Sequence, residues 1–222
     1  MNTSVKKKKY SIDDLLDVMH KLRAPDGCPW DSVQTHESIR RDFLEECYEA
    51  VEAIDEKSPE MMREELGDVL LQVVFHSVIE EEKGNFDFSD VVNDVAAKMI
   101  IRHPHVFGDT AVKNVDEVWS NWDAIKKETK GQSSDKEMLM SVSKAMPALM
   151  RGQKVVKKAS KLGVEYSNNP QSDLKKLAEK ENLDEKDLGQ MLLLISEIAF
   201  KNSFDAEKSL YDETNRFIGQ NF

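Results

Sequence analysis

The sequence predicts an all-α protein: a four-helix-bundle-type domain over residues 1–130, then a second, degenerate helical copy over residues 131–222. Three observations predict it. Apolar residues recur at helical spacing between short turn-forming stretches. Glycine and proline are few, at 9 and 6 of 222 residues, which suits a mostly helical chain. A marker from the first half also recurs, worn, in the second.

The first helix is expected from Tyr10 to Leu22, with Ser11 as cap and Ile12, Leu15, Leu16, Met19 and Leu22 as its apolar stripe. Arg23 to His36 reads as a loop holding Cys28, Trp30, Asp31, Gln34 and His36. It is either a rigid elbow with Trp30 in the core or a lid over a ligand. A second helix follows. Phe43, Leu44, Cys47, Ala50, Val51 and Ile54 fall within a sector about 120° wide, with Glu46, Glu49, Asp42 and Ala53 on its shoulder and Glu45 and Glu52 outward. Ser58-Pro59-Glu60 starts a third helix with a capping hydroxyl, a first-turn proline and an acid at the positive end of the dipole. From Val69 to Ile79 it is apolar on nearly every side, the pattern of a helix buried in a bundle.

Glu81 to Asp87 is a turn. Phe88 to Ile101 is the next helix, with Phe88, Val91, Val92, Val95 and Met99 expected to face inward. Lys98 and Arg102 share a face near its C-terminal end, where the dipole favours cations and where both could bind phosphate oxygens. His103-Pro104-His105 breaks the helix. Asp116 to Lys127 is a further helix in which Trp122 and Lys126 share a face, and Thr129 to Lys136 is the best linker. The block that follows is basic around Arg151–Lys161 and turns at Ser167–Pro170.

Chemistry concentrates in two acid pairs three residues apart, Glu46/Glu49 and Glu65/Asp68. Residues at this spacing have β-carbons roughly 5–6 Å apart, so one pair can reach one ion. A single ExxE in an acidic chain usually marks a solvated face. The second pair feeds into a buried helix, where an unpaired carboxylate costs several kcal/mol or takes up a proton. The alternatives are a shared cation or a salt-bridge network, and the doubled pair favours the cation. All-carboxylate ligands suit Mg²⁺ or Mn²⁺. A di-iron site would want Glu-x-x-His, and the nearest match is Asp17-x-x-His20 on another segment. Cys28 and Cys47 form no paired zinc motif.

The net charge of −11 argues against a nucleic-acid polymer as partner. No apolar run approaches the roughly 20 residues of a membrane span, and Lys6–Lys9 has no apolar core after it, so no membrane and no signal peptide are expected. Two cysteines in unrelated contexts suggest a reducing cytoplasm.

In the repeat, Glu65-Leu-Gly-Asp-Val-Leu-Leu-Gln-Val matches Asp187-Leu-Gly-Gln-Met-Leu-Leu-Leu-Ile, and Asn85-Phe-Asp-Phe matches Ser203-Phe-Asp-Ala. Lys98 then aligns with Arg216 and Arg102 with Gln220. Asp68 is matched by Gln190 and Glu49 by Gln171, so the second copy is expected to pack without binding metal.

CPWDSVQTH, LEECYEAVEAI, ELGDVLLQVVFH, FDF and RHPHVFGD follow one another in order, and Met146–Tyr166 reads MPALMRGQKVVKKASKLGVEY. These runs resemble the MazG family of the all-α nucleoside triphosphate pyrophosphatases. The resemblance implies Mg²⁺-dependent hydrolysis of a nucleoside triphosphate between the α and β phosphates, giving monophosphate and pyrophosphate. Its ExxE…ExxD pattern falls on Glu46, Glu49, Glu65 and Asp68, and its phosphate-contacting positions on Lys98, Arg102 and Lys126. Glu45 or Glu49 is the candidate general base. Trp30 or Trp122 would stack on the base, with Gln34 in the same loop. Two-domain members usually keep a full acid set in the second half, and this chain departs from them there. The uncovered acidic edge and apolar surface of a single half imply a homodimer. A rival reading is a catalytically weak regulatory protein that senses nucleotides.

Overall fold

The computed structural model describes residues 9–115, 117–119, 121, 122, 125 and 134–221. Among these residues there is no strand. The helices are α1 (Ile12–Arg23), α2 (Arg40–Asp55), α3 (Pro59–Glu82), α4 (Phe88–Arg102), the short α5 (Pro104–Phe107) and α6 (Asp135–Met140), α7 (Ala148–Lys161), α8 (Pro170–Ala178), α9 (Glu185–Lys201) and α10 (Ala206–Asn221). They fall into two units, Met1–Trp122 and Asp123–Phe222. No described helix is long and apolar enough to cross a membrane.

In the first unit, a capping box sets the start of α1. The Ser11 hydroxyl accepts the Asp14 N–H at 3.2 Å and the Asp14 carboxylate accepts the Ser11 N–H at 2.8 Å. The core gathers Met19 from α1, Ile39 from the entry to α2, and Val74, Phe75, Val78 and Ile79 from α3, with Leu15, Leu16, Leu71 and Phe88 packed around it. Each large side chain so buried contributes roughly 1.5–3 kcal/mol.

Two turns set the register of the helices. After α2, Lys57 takes φ 53° and the Ser58 N–H reaches back to the Ala53 carbonyl at 3.2 Å, while Ser58 Oγ caps α3 by accepting from the Met61 N–H at 3.3 Å. After α3, Gly84 takes φ 72°, a conformation that favours glycine, and the Asn85 N–H donates to the Glu80 carbonyl at 3.0 Å. Asp87 then caps α4 through the Asp90 N–H at 2.9 Å.

Two expectations about which faces are buried need correcting. On α2 the predicted stripe is only partly covered: Phe43, Cys47 and Ala50 are half-buried and Phe43 packs on His76 of α3, and shoulder residue Ala53 is 1% exposed, while Val51 is 53% exposed and Leu44 and Ile54 are exposed with it. A single neighbouring helix covers only part of so wide a stripe, and the remainder stays exposed. On α4, Phe88 and Val91 are half-buried, but Val92, Val95 (44% exposed) and Met99 face outward. Trp30 is 57% exposed, so the loop is not an elbow with the indole in the core.

The second unit packs α9 against α7 and α8. Gly152 makes the α7–α9 approach close: a β-carbon there would meet Ser196 Oγ at 2.9 Å. The repeated Phe-Asp marker has one physical role in both units, because Asp205 caps α10 through the Lys208 N–H at 3.0 Å as Asp87 caps α4.

Candidate functional site

The α2–α3 hairpin aligns the two acid pairs by simple counting. Glu49 lies six residues before Asp55 at the end of α2, and Glu65 six residues after Pro59 at the start of α3. Glu46 and Asp68 each lie nine residues from those same ends. At 1.5 Å per residue the pairs stand level, about 9 Å and about 13.5 Å from the turn. Electrostatics agree with this pairing. Burial first, and then the charge of Asp68 ahead of other neighbours, pushes the Glu46 carboxyl above the usual carboxylate range. Burial and then Glu49 do the same to Glu65.

Oxygen atoms of Glu46, Glu49 and Glu65 all lie within 4.8 Å of one another. Asp68 falls outside that set, half-buried one turn along α3 from Glu65, and its charge reaches both Glu46 and Glu65. Such mutually repelling carboxylates, unneutralised by any lysine or arginine ion pair among the described residues, fit a hard divalent cation in ligand type and charge. Glu45 is exposed and outside the set.

Lys98 and Arg102 lie ten and fourteen residues into α4, as Gln72 and Asp68 lie ten and fourteen before the end of α3. In ideal helices Arg102 and Asp68 are therefore both about 21 Å from the intervening turn. Lys98 is exposed. Arg102 is half-buried, its guanidinium 5.3 Å from the centre of the Trp122 ring, and His103 meets that ring edge-on at 4.9 Å. Lys126 lies outside the described residues. In the α1–α2 loop, the Gln34 amide is engaged locally, donating to the Trp30 carbonyl at 2.8 Å and accepting from Ser38 Oγ at 2.6 Å. Trp30 projects from the same loop with its ring open.

Two arrangements were not foreseen. His36 bridges His76 and Glu80 on α3, a long-range contact that spacing along the chain does not reveal. In the second unit, Lys180 Nζ lies 2.5 Å from the Asp187 carboxylate, at the position matching Glu65. The ammonium holds that carboxyl below the usual range. A lysine thus takes the charge-neutralising place that a cation fits in the first unit. Asp187→Asn is therefore expected to lower the melting temperature of the second unit, since the carboxylate also belongs to the α9 capping box, while leaving turnover unchanged. Calorimetry alongside a steady-state assay checks both.

The model of the MazG nucleotide pyrophosphohydrolase domain matches residues 34–107, which span α2, α3, α4 and α5 and contain all four acids. A relative from Thermotoga maritima, the nucleoside triphosphate pyrophosphohydrolase/pyrophosphatase MazG, is 38% identical over 216 residues, covering 93% of this chain and 82% of that one. The chain belongs to the MazG family. A nucleoside triphosphate pyrophosphohydrolase of Escherichia coli K12 is 41% identical over 157 residues, 70% of this chain and 60% of that protein. The uncharacterised Bacillus subtilis protein YabN is 45% identical over 148 residues, 67% of this chain but 30% of its own length. The family match falls wholly within the first unit, where the acid pairs meet.

Proposed function

We propose that this chain hydrolyses nucleoside triphosphates at the α–β phosphate bond, releasing the monophosphate and pyrophosphate, in a Mg²⁺- or Mn²⁺-dependent reaction. The observation that carries this reading is the convergence of Glu46, Glu49 and Glu65 oxygens within 4.8 Å across two helices of a MazG-family domain. With Asp68, these residues would hold the ion, which supplies Lewis-acid polarisation of phosphate oxygens and activation of a water. Lys98, Arg102 and Lys126 bind the remaining phosphate oxygens, and positioning with charge stabilisation does most of the work. Trp122, already packed by Arg102 and His103, steadies the Arg102 guanidinium. Exposed Trp30 is the ring free to stack on a nucleobase.

A carboxylate must take the proton of the attacking water as its oxygen bonds to the α-phosphorus and the bridging oxygen leaves with pyrophosphate. Glu49, within the cluster, and Glu45, beside Glu46 but uncommitted to it, both qualify. Glu45→Gln that lowers turnover yet keeps cation-induced stabilisation assigns the base to Glu45; an unaffected Glu45→Gln assigns it to Glu49.

The exposed apolar faces of α2 (Leu44, Tyr48, Val51, Ile54) and α4 (Val92, Val95, Met99) support a homodimer that covers them. Free Cys28 and Cys47 fit a reducing, cytoplasmic compartment. The test is a panel of ribo- and deoxyribonucleoside triphosphates with Mg²⁺ and chromatographic separation of products. Monophosphate plus pyrophosphate supports the reading, and diphosphate plus inorganic phosphate overturns it.

A further inference from the structure

We propose that His36 and His76 form a proton-sharing latch, which ties the end of the α1–α2 loop to α3 at neutral pH and lets it go once both rings are cationic. The two Nδ1 atoms are 2.6 Å apart, and the near-coplanar rings meet edge to edge, with centroids 4.9 Å apart and planes 14° from parallel. One proton must lie between those nitrogens, donated by one ring and accepted by the other. His36 Nε2 is 2.5 Å from a Glu80 carboxylate oxygen, so it donates there. In the neutral pair His36 Nδ1 is then the acceptor and His76 donates. One added proton is tolerated, because His36 as a cation still faces the Glu80 anion while His76 becomes the acceptor. A second added proton leaves two facing N–H groups on like-charged rings, and the bond is lost.

The surrounding charges fix which partners can change. Glu80 also accepts from Lys83 Nζ and Asn85 Nδ2, each at 2.7 Å, and together with His36 these bonds hold its carboxyl down at about 2. It therefore stays anionic throughout the range in which histidine titrates. Glu37 adjoins His36 in the loop and is itself held low by its own backbone hydrogen bond. From α1, Arg23 is bonded to Glu82 and to the Asp31 and Gln34 carbonyls, and His20 pairs with Glu81. From α2, uncharged Phe43 packs on His76 at 5.5 Å, with Asp42 next to it in sequence. Burial, and then the neighbouring His36, push His76 below the ordinary histidine value. A histidine depressed in this way stabilises the fold fully above its unfolded value of about 6.5, and that contribution fades as pH falls below it.

The start of the loop is held to α1 by the Cys28 N–H on the Leu22 carbonyl and its middle by Arg23 on residues 31 and 34, while its end is held by buried Ile39 and the histidine pair. Among these ties only the histidine pair carries imidazoles, so a change of their protonation acts on Thr35 to Ile39. The latch stands on its own geometry, whether or not the proposed hydrolysis does.

The test is hydrogen–deuterium exchange of the full-length protein at pH 7.5 and 5.0, corrected for intrinsic rates. Protection of residues 35–39, relative to core residues 74–79, is expected to fall about tenfold for each pH unit below the second protonation. His76→Asn keeps a neutral hydrogen-bonding group near the Nδ1 position and should show no such fall. His36→Asn serves as an independent second variant should the first not fold. Flat protection in the wild type, or an equal fall in the variants, overturns the proposal.

Discussion

Glu49→Gln is expected to lower turnover by about 10²–10³-fold or more and to lack the rise in melting temperature expected of the wild-type protein with Mg²⁺. Glu49 stands level with Glu65 and is one of the three residues whose oxygens lie within 4.8 Å of one another. Without it the pocket loses a ligand and a unit of negative charge. For the intact site, saturation at a hundred times the dissociation constant contributes about 2.7 kcal/mol to stability, readable as a shift in a thermal scan. Glu65→Gln should behave alike and adds a pH signature. Because Glu46 and Glu65 are raised by burial and by each other's neighbours, the cation-free fold is relieved of repulsion at low pH and loses that relief as pH rises through their raised values. The wild type should therefore lose melting temperature relative to Glu65→Gln as pH rises from 5 to 7.5 in chelator, and the gap should close when Mg²⁺ is added. A wild type indifferent to Mg²⁺ in both assays would remove the basis for a cation site.

The second large effect is expected from Val95→Asp. Val95 lies on the outward face of α4 with Val92 and Met99. A charge at the centre of a buried apolar contact costs about 2 kcal/mol or more, roughly thirtyfold in dissociation constant. Sedimentation should show the wild-type protein at twice the chain mass and the variant dissociating at micromolar concentration. Val95 sits among exposed residues in the single chain, so the variant should keep its helical circular dichroism. A wild type that sediments as a monomer at all concentrations sinks the homodimer.

Much of this architecture was legible in the sequence because its signals are local. Ser11 and Ser58 act as caps where their hydroxyls meet the first free N–H groups of a helix. The acid pairs could be read because two equal spacings flank one short turn. The buried faces were harder. A hydrophobic stripe says that a face will be covered, not by what, so Val51 and Val95 looked like core residues and proved to lie outside it. Small Ala53 carries little hydrophobic signal, yet it marks the seam. The His36–His76–Glu80 contact joins residues forty and forty-four positions apart, and nothing in periodicity encodes such a meeting. The Lys180 pairing is hidden for a related reason: the missing Asp68 and Glu49 equivalents in the second copy say that acids are absent, but not that a lysine neutralises the one that remains.

The three-residue link Glu56–Ser58 works as a vernier. Because both carboxylate rows are counted from it, one residue added within either helix between this bend and its acids would slide that row past the other by about 1.5 Å and swing it through about 100°, turning acids away from their opposite numbers while leaving helicity nearly unchanged. Helix length beside this bend should thus be intolerant of insertion, although surface connections generally accept it, a constraint set by the proposed cation site.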